Sequence, residues 1–340
     1  MKLSLPPTWV RRPLSLVVVV GLAFAATLLP LLVLLSIALS VVLPGRWRVL
    51  RLLAFALVYL LLECVGLAIA FVLWVVSGFG WKLGSPAFQR VHYAVLHRVL
   101  AEVLATATVL FHLKIDTDGV SWSPLDDGVP GSTNAMIVLS RHAGPGDSLL
   151  LVRTLMDRDH RRRPRIVLKD TLQWDPMLDV YLNRLPNAFM TGGGQDMAER
   201  VGALAQDMGE EDALLVFPEG GNFTEARRLR AIDRLRGKGM VDQADRATLM
   251  RHVLSPRPGG VLAAIEAAPH ADVVFVAHTG LEHLSTPADL WDGLPMDSTV
   301  RLRWWFVPAD EVPRDPAVQD DWLYERWAEI DTWVAAEQEA

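Results

Sequence analysis

An α/β fold is predicted for this chain: a mostly parallel sheet flanked by helices, preceded by an N-terminal hydrophobic two-helix membrane anchor. Two observations predict it. From Ala135 onward, short apolar runs that stop at polar residues alternate with longer stretches of helical periodicity, the pattern of parallel strands joined by crossover helices. Ahead of them, residues 14–76 hold most of the apolar excess of a chain that is 51% hydrophobic, in two long runs almost without charge. The implied division is 1–80 for a membrane-associated hairpin and 81–340 for the α/β part. The net charge of −6 argues against nucleic acid as a partner. A single cysteine, Cys64, excludes an internal disulfide.

Taken in order, the chain opens on a short basic leader with Lys2, Arg11 and Arg12. Leu14 to Leu43 carries no charge and is long enough to cross a bilayer. Ala23-Phe24-Ala25 resembles a signal-cleavage site, but the apolar run continues past it, which favours a retained anchor. Pro44-Gly45-Arg46-Trp47-Arg48 breaks the run, and Leu52 to Val76 forms a second whose only charge is Glu63. If both runs span, basic residues fall on both sides, against the positive-inside tendency. A hairpin dipping into one leaflet, with Pro30 at a re-entrant bend, keeps every basic end on the cytoplasmic face. Both topologies stay open. Gly78 to Pro86 reads as a linker with Trp81 and Lys82 as interfacial anchors, and Phe88 to Leu113 as an amphipathic helix. His92, His97 and His112 on that helix lack metal-ligand spacing. Lys114 to Thr133 is a polar loop or hairpin.

The α/β part begins with the strand Met136–Leu139, which delivers Ser140, Arg141 and His142 to its end. Ala143-Gly144-Pro145-Gly146 forces a turn. Asp147 and Ser148, both good N-cap residues, precede a helix running to Met156. His142 and Asp147 would lie on different faces of one continuous helix; across the turn they meet, as a base with an orienting acid. Further strands are expected at Arg165–Lys169, Ala213–Phe217, Asp272–Ala277 and Thr299–Val307. Helices are expected at Asp175–Tyr181, Gln195–Met208, Gly259–Ala268 and Pro316–Ala336, the last capped by Asp315 and carrying three tryptophans. In Leu214 to Thr224, LLVFPEGGNFT, a strand ends at Phe217-Pro218 and Glu219 follows. Gly220 and Gly221 then lead toward a helix start at Thr224, an arrangement that suits an anionic group. No metal site is expected, since the sequence has no Cys pair and no His-Glu-x-x-His.

The His-x4-Asp block from His142 to Asp147 and the Phe-Pro-Glu-Gly block from Phe217 to Gly220, in this order behind an apolar anchor, resemble the lysophosphatidic-acid acyltransferase (glycerol-phosphate acyltransferase) superfamily. Lys169-Asp-Thr-Leu172-Gln-Trp-Asp-Pro176 looks like that family's Lys-x-x-Leu-x-x-x-Pro stretch. Glu219 to Thr224, with His252-Val-Leu-Ser-Pro256-Arg257, is similar to its lysocardiolipin and lysophosphatidylglycerol acyltransferase branch. The resemblance covers roughly residues 85 to 285. It implies acyl transfer from acyl-CoA or acyl carrier protein to a lysophospholipid hydroxyl, with the acyl donor as a substrate and no cofactor. His142 is implied as general base, with Asp147 holding its tautomer. Arg141, Lys169, Phe217, Pro218, Glu219, Gly220, Gly221 and Asn222 are implied around the substrate. Membrane phospholipids are the implied partners, at the cell membrane with the catalytic part on the cytoplasmic face. The chain departs from the pattern at three positions. Arg141 stands where many members have Asn, and the arginines usual near Phe189 and after Gly221 are missing. These departures weigh against lysophosphatidic acid as acceptor; Arg141, Lys169, Arg227 and Arg228 are candidates to replace the lost charge. A hydrolase using the same histidine on water, and a non-catalytic lipid-binding protein, are the alternatives.

Overall fold

The computed structural model describes residues 6–117, 134–142, 146–157, 161–190, 195–282 and 287–339. Helices α1 (Thr8–Arg11), α2 (Leu14–Val42), α3 (Arg48–Val76) and α4 (Pro86–Phe111) come first. Then follow β1 (Lys114–Thr117), β2 (Met136–Ser140), α5 (Asp147–Met156) and β3 (Arg163–Lys169). A 3-10 turn at Asp170–Trp174 leads to α6 (Pro176–Arg184), β4 (Ala188–Met190), α7 (Gln195–Ala205) and β5 (Asp212–Val216). The rest of the chain forms α8 (Glu225–Gly237), α9 (Val241–Leu249), α10 (Pro258–Ala267), β6 (Asp272–Thr279), α11 (Pro287–Gly293), β7 (Thr299–Val307) and α12 (Pro316–Glu339). The chain divides into two compact units. One is helical and takes in Met1–Lys114, Leu168–Thr191 and Ala288–Ser298; the other takes in Ile115–Val167, Gly192–Pro287 and Thr299–Ala340.

In the helical unit, α2 carries no charged residue and α3 is apolar from Leu52 to Val76 except for Glu63, as suits helices in hydrocarbon. Pro30 lies inside α2 without ending it. Two membrane helices are expected from the sequence, whereas three described helices are long and apolar enough to cross a bilayer, α4 being the third. Its apolar stripe is partly used within the protein: Val99 and Val103 pack in one cluster with Ala70 of α3 and Met177 and Tyr181 of α6. Gly66 permits that approach, because a Cβ there would stand 2.4 Å from Met177 Sδ. Tyr181 completes the contact by donating its hydroxyl to the Gly66 carbonyl at 3.0 Å. Glu63 is buried in α3.

The sheet has seven strands in the order β1-β7-β6-β2-β5-β3-β4. β2 pairs in parallel with β5 and β6, β5 also with β3, and β7 runs antiparallel to β6. Strands β2, β5 and β6 are buried along their whole lengths, which explains why they read as unbroken apolar runs rather than alternating ones. The core joins Ile137, Leu214 and Phe275 of these strands to Val201 of α7, Val261 of α10 and Trp327 of α12. The closing helix packs on the sheet, with Trp327 fully buried and Trp322 edge-on to Phe275 at 5.2 Å. β3 starts earlier than the apolar residues suggest, because Arg163 and Arg165 both pair with Asp212 of β5, at 3.1 and 2.7 Å. Much of the basic run at 161–165 therefore has intramolecular partners.

A turn at the end of β6 packs closely against the start of β7. Gly280 takes φ +100, and a Cβ there would come within 2.3 Å of the Thr299 carbonyl oxygen. Gly280→Ala should cost about 2–3 kcal/mol, since it combines a left-handed backbone with a clash against main chain. Thermal unfolding would register a clear drop in midpoint; an unchanged midpoint would refute this reading of the turn.

Candidate active site

Parallel strands present their carboxyl ends together, and in open α/β sheets ligands bind there. Register puts Leu139 of β2 beside Val216 of β5, and Ser140 beside Val276 of β6. Residues 141–142, 217–221 and 278–282 therefore leave three adjacent strands at the same end of the sheet.

His142 and Asp147 meet, as the sequence suggests. Gly146, with φ +93, occupies the cap position of α5, and Asp147 is the helix's first residue. This differs from the expectation that Asp147 would cap, because its carboxylate is engaged elsewhere. Oδ2 accepts from His142 Nδ1 at 2.7 Å, and Oδ1 accepts from the Ser148 N–H at 2.5 Å and its hydroxyl at 3.1 Å. The helix N-terminus further favours the negative charge. Gly144 and Pro145 of the expected turn lie outside the described residues, as does the Gly192-Gly193-Gly194 run. Since Nδ1 donates to Asp147, Nε2 of His142 carries the free lone pair. The Phe217 ring lies against the imidazole at 4.8 Å between centroids, and the Phe223 N–H donates to the His142 carbonyl at 2.8 Å.

Arg141 is fully buried. Its guanidinium donates to the carbonyls of His278 at 2.8 Å and His252 at 3.1 Å, and to Glu282 Oε1 at 2.9 Å. Glu282 also accepts from the Gly280 N–H at 2.7 Å. The His252 segment is held in turn by Asp331 of α12, which accepts from the N–H groups of His252 and Val253 at 2.6 and 3.1 Å. His278 donates Nε2–H to the Arg141 carbonyl at 3.1 Å and stands 3.6 Å from Asp147 Oδ2. Burial lowers the His278 pKa, so the ring stays neutral.

Phe217 to Gly220 forms a turn closed by the Gly220 N–H on the Phe217 carbonyl at 3.0 Å, with Pro218 at the position that suits its fixed φ. Glu219 is buried within it, 1% exposed. No group among the described residues is in hydrogen-bonding geometry to either of its oxygens. Burial pushes its pKa up to about 8; Arg141 and the N–H groups of His142 and Leu254, acting from outside that geometry, pull the other way. A pKa raised in this way favours the neutral carboxylic acid at pH 7, which can donate a hydrogen bond. Asn222 is half-buried, and its carbonyl accepts from Arg227 at 2.9 Å. Arg228 is paired with Glu225 at 2.9 Å. Lys169 is exposed at the end of β3 and belongs to the helical unit, so it is not among the residues gathered here.

Residues 127–278 match the family model described as Acyltransferase. No curated protein and no solved structure matches the chain. The match supports an acyltransferase, and its span contains His142, Asp147 and Glu219. Three further residues gathered here were not singled out by the two motif blocks. His278 is the last residue but one of β6 and Glu282 follows that strand; neither has motif neighbours. Arg257 stands beside the Phe-Pro-Glu-Gly turn: its N–H donates to the Pro218 carbonyl at 3.0 Å, and a Cβ on Gly220 would meet its guanidinium at 2.8 Å. That guanidinium has no hydrogen-bond or carboxylate partner among the described residues, and burial together with neighbouring Arg234 lowers its pKa. The Ser-Pro-Arg sequence marked it as notable without revealing its place.

Glu219 makes stability depend on pH in a definite direction. A carboxyl whose pKa rises from 4.5 to about 8 on folding opposes folding increasingly across that window, and by a constant amount above it. Glu219→Gln lacks the titrating proton, so the variant should gain stability relative to the parent as pH rises through the window. Unfolding midpoints measured from about pH 5 to 8 would show the gap widening; a constant or shrinking gap would contradict a buried neutral acid.

Proposed function

We propose that this chain is a membrane-bound acyltransferase that moves a fatty acyl group from acyl-CoA, or acyl carrier protein, to the hydroxyl of a lysophospholipid. The observation that carries the proposal is the His142–Asp147 pair, whose free Nε2 stands at the carboxyl end of a parallel sheet beside a neutral carboxylic acid. In this reading Nε2 takes the proton from the acceptor hydroxyl as its oxygen attacks the thioester carbonyl carbon. The C–O bond forms, the C–S bond breaks, and the imidazolium returns the proton to the departing thiolate. Asp147 holds the tautomer and stabilises the imidazolium. An acyl-enzyme is not required.

Glu219, Gly220, Gly221 and Asn222 would position the acceptor headgroup, with Phe217 and Pro218 shaping the turn. Arg257 supplies the unpaired cation that a phosphate-bearing acceptor needs. Arg141, being buried, acts by positioning the strand ends and not by touching substrate. Lys169 is a weaker member of this set. Residues 1–80 would serve as the anchor and 81–340 as the catalytic part, at the cell membrane with the active site on the cytoplasmic face. The similarity in Glu219 to Arg257 favours lysophosphatidylglycerol or lysocardiolipin over lysophosphatidic acid.

His142→Ala should lower transfer by about 10²–10⁴-fold, the usual worth of a positioned general base, with folding and membrane association retained. Asp147→Asn should fall less. Arg257→Ala should raise KM for anionic acceptors more than it lowers kcat. The assay supplies labelled acyl-CoA and a panel of lysophospholipids to the protein in micelles and weighs the lipid products. Acylated lipid that persists in His142→Ala would reject the proposed base. Free thiol without acylated lipid would assign the site to hydrolysis.

A further inference from the structure

We infer that the helical unit holds an anionic phospholipid, headgroup and chain together, in an open-sided cavity of about 710 Å³ lined by α1, α3, α6 and the segment after α3. This site is separate from acyl transfer and does not rest on that reading.

The charges decide the headgroup. Four ionised residues line the cavity: Arg11, Arg12, Asp179 and Arg184. Arg11 and Asp179 neutralise one another at 3.0 Å, and Arg11 is further fixed by Gln173 at 3.0 Å. Arg12 and Arg184 have no carboxylate partner among the described residues. Arg184 donates to the Ala70 carbonyl at 2.9 Å and lies 3.2 Å from His92 Nε2, both neutral groups. Both guanidiniums line the one cavity, and burial lowers the Arg184 pKa, the charge of Arg12 adding to it. Two like charges facing one cavity without a counter-ion form a receptor for an anion.

The opposite wall decides what the anion is attached to. Leu67, Phe71 and Trp74 of α3 line the cavity with Leu83, and Phe71 is 64% exposed. Free phosphate would make no use of these side chains. An acyl chain running along α3 covers them, and α3 is among the helices suited to hydrocarbon. The level in the bilayer agrees. Arg12 is two residues before α2 begins, and the segment from Gly80 to Leu83 follows soon after α3 ends. The cavity is thus at the polar end of both helices, where Trp81 and Lys82 also fit an interface. A pocket of this volume, mostly apolar with a few placed charges, is ordinary for a lipid-sized ligand.

The test uses the full chain, purified and delipidated, without acyl donor. Phosphatidylglycerol or phosphatidylcholine of equal chain length is added back, and lipid retained per chain is counted by native mass spectrometry. Phosphatidylglycerol should be retained about fivefold or more over phosphatidylcholine. Arg12→Glu should remove the preference, and Arg12→Lys should keep most of it. Arg12 makes no side-chain bond among the described residues, so these variants should keep the parent's unfolding midpoint. Equal retention of the two lipids would overturn the inference, as would a preference that survives Arg12→Glu. Displacement of phosphatidylglycerol by millimolar inorganic phosphate would replace it with a free-phosphate site.

Discussion

A buried guanidinium fixes the geometry on which the rest of the site depends. Moving a cation out of water is costly, and removing its single carboxylate partner would leave that cost uncompensated. In this protein Arg141 is compensated by Glu282 and by two carbonyls that belong to separate segments, so its burial ties those segments to the end of β2. The Arg141 N–H still donates to Val276 at 3.2 Å, so the strand pairing extends one residue past Ser140. Successive side chains along a strand point to opposite faces. With Arg141 committed to the residues after β6, His142 is directed elsewhere, against Phe217 after β5. His142 owes its direction to the cation that precedes it.

Much of this was legible from sequence. Strands β2, β5 and β6 read as short apolar runs because they are buried along their whole lengths. The pairing of His142 with Asp147 was readable because Gly-Pro-Gly in the sequence between them breaks a helix that would hold the two side chains on different faces. Elements with narrow apolar faces were less visible. In α8 only Ile232 is buried, so its charged sequence carries almost no periodicity. β4, with three residues, is too short to show any. The third long apolar helix was read as amphipathic because its stripe faces α3 and α6, and burial inside the unit looks the same in sequence as burial in a globular core.

The site itself was legible at the motifs and opaque between them. Arg141 has the composition of a ligand-binding cation, and only its three-dimensional surroundings show it to be enclosed. The protonation of Glu219 is equally a property of the fold. Asp147 accepts three hydrogen bonds at a helix start. Glu219, close in space, is buried without comparable donors and keeps its proton. Two carboxyl groups separated in this way can serve different roles in one site: one as the acceptor that orients a base, the other as a hydrogen-bond donor to a bound oxygen.

The same reasoning explains how a basic subsite can persist where its expected residues are absent. The position after Gly221 holds Asn222 in place of an arginine, and Asn222 uses its carbonyl to bind Arg227. Charge reaches the turn from another direction, from Arg257 at the start of α10, anchored through its N–H to Pro218. Gly220 is what admits it, since a side chain there would collide with the guanidinium. An anion at this turn would meet a cation approaching from the neighbouring segment instead of from the turn's own next residue. Such an arrangement separates the headgroup's charge from the backbone that positions it.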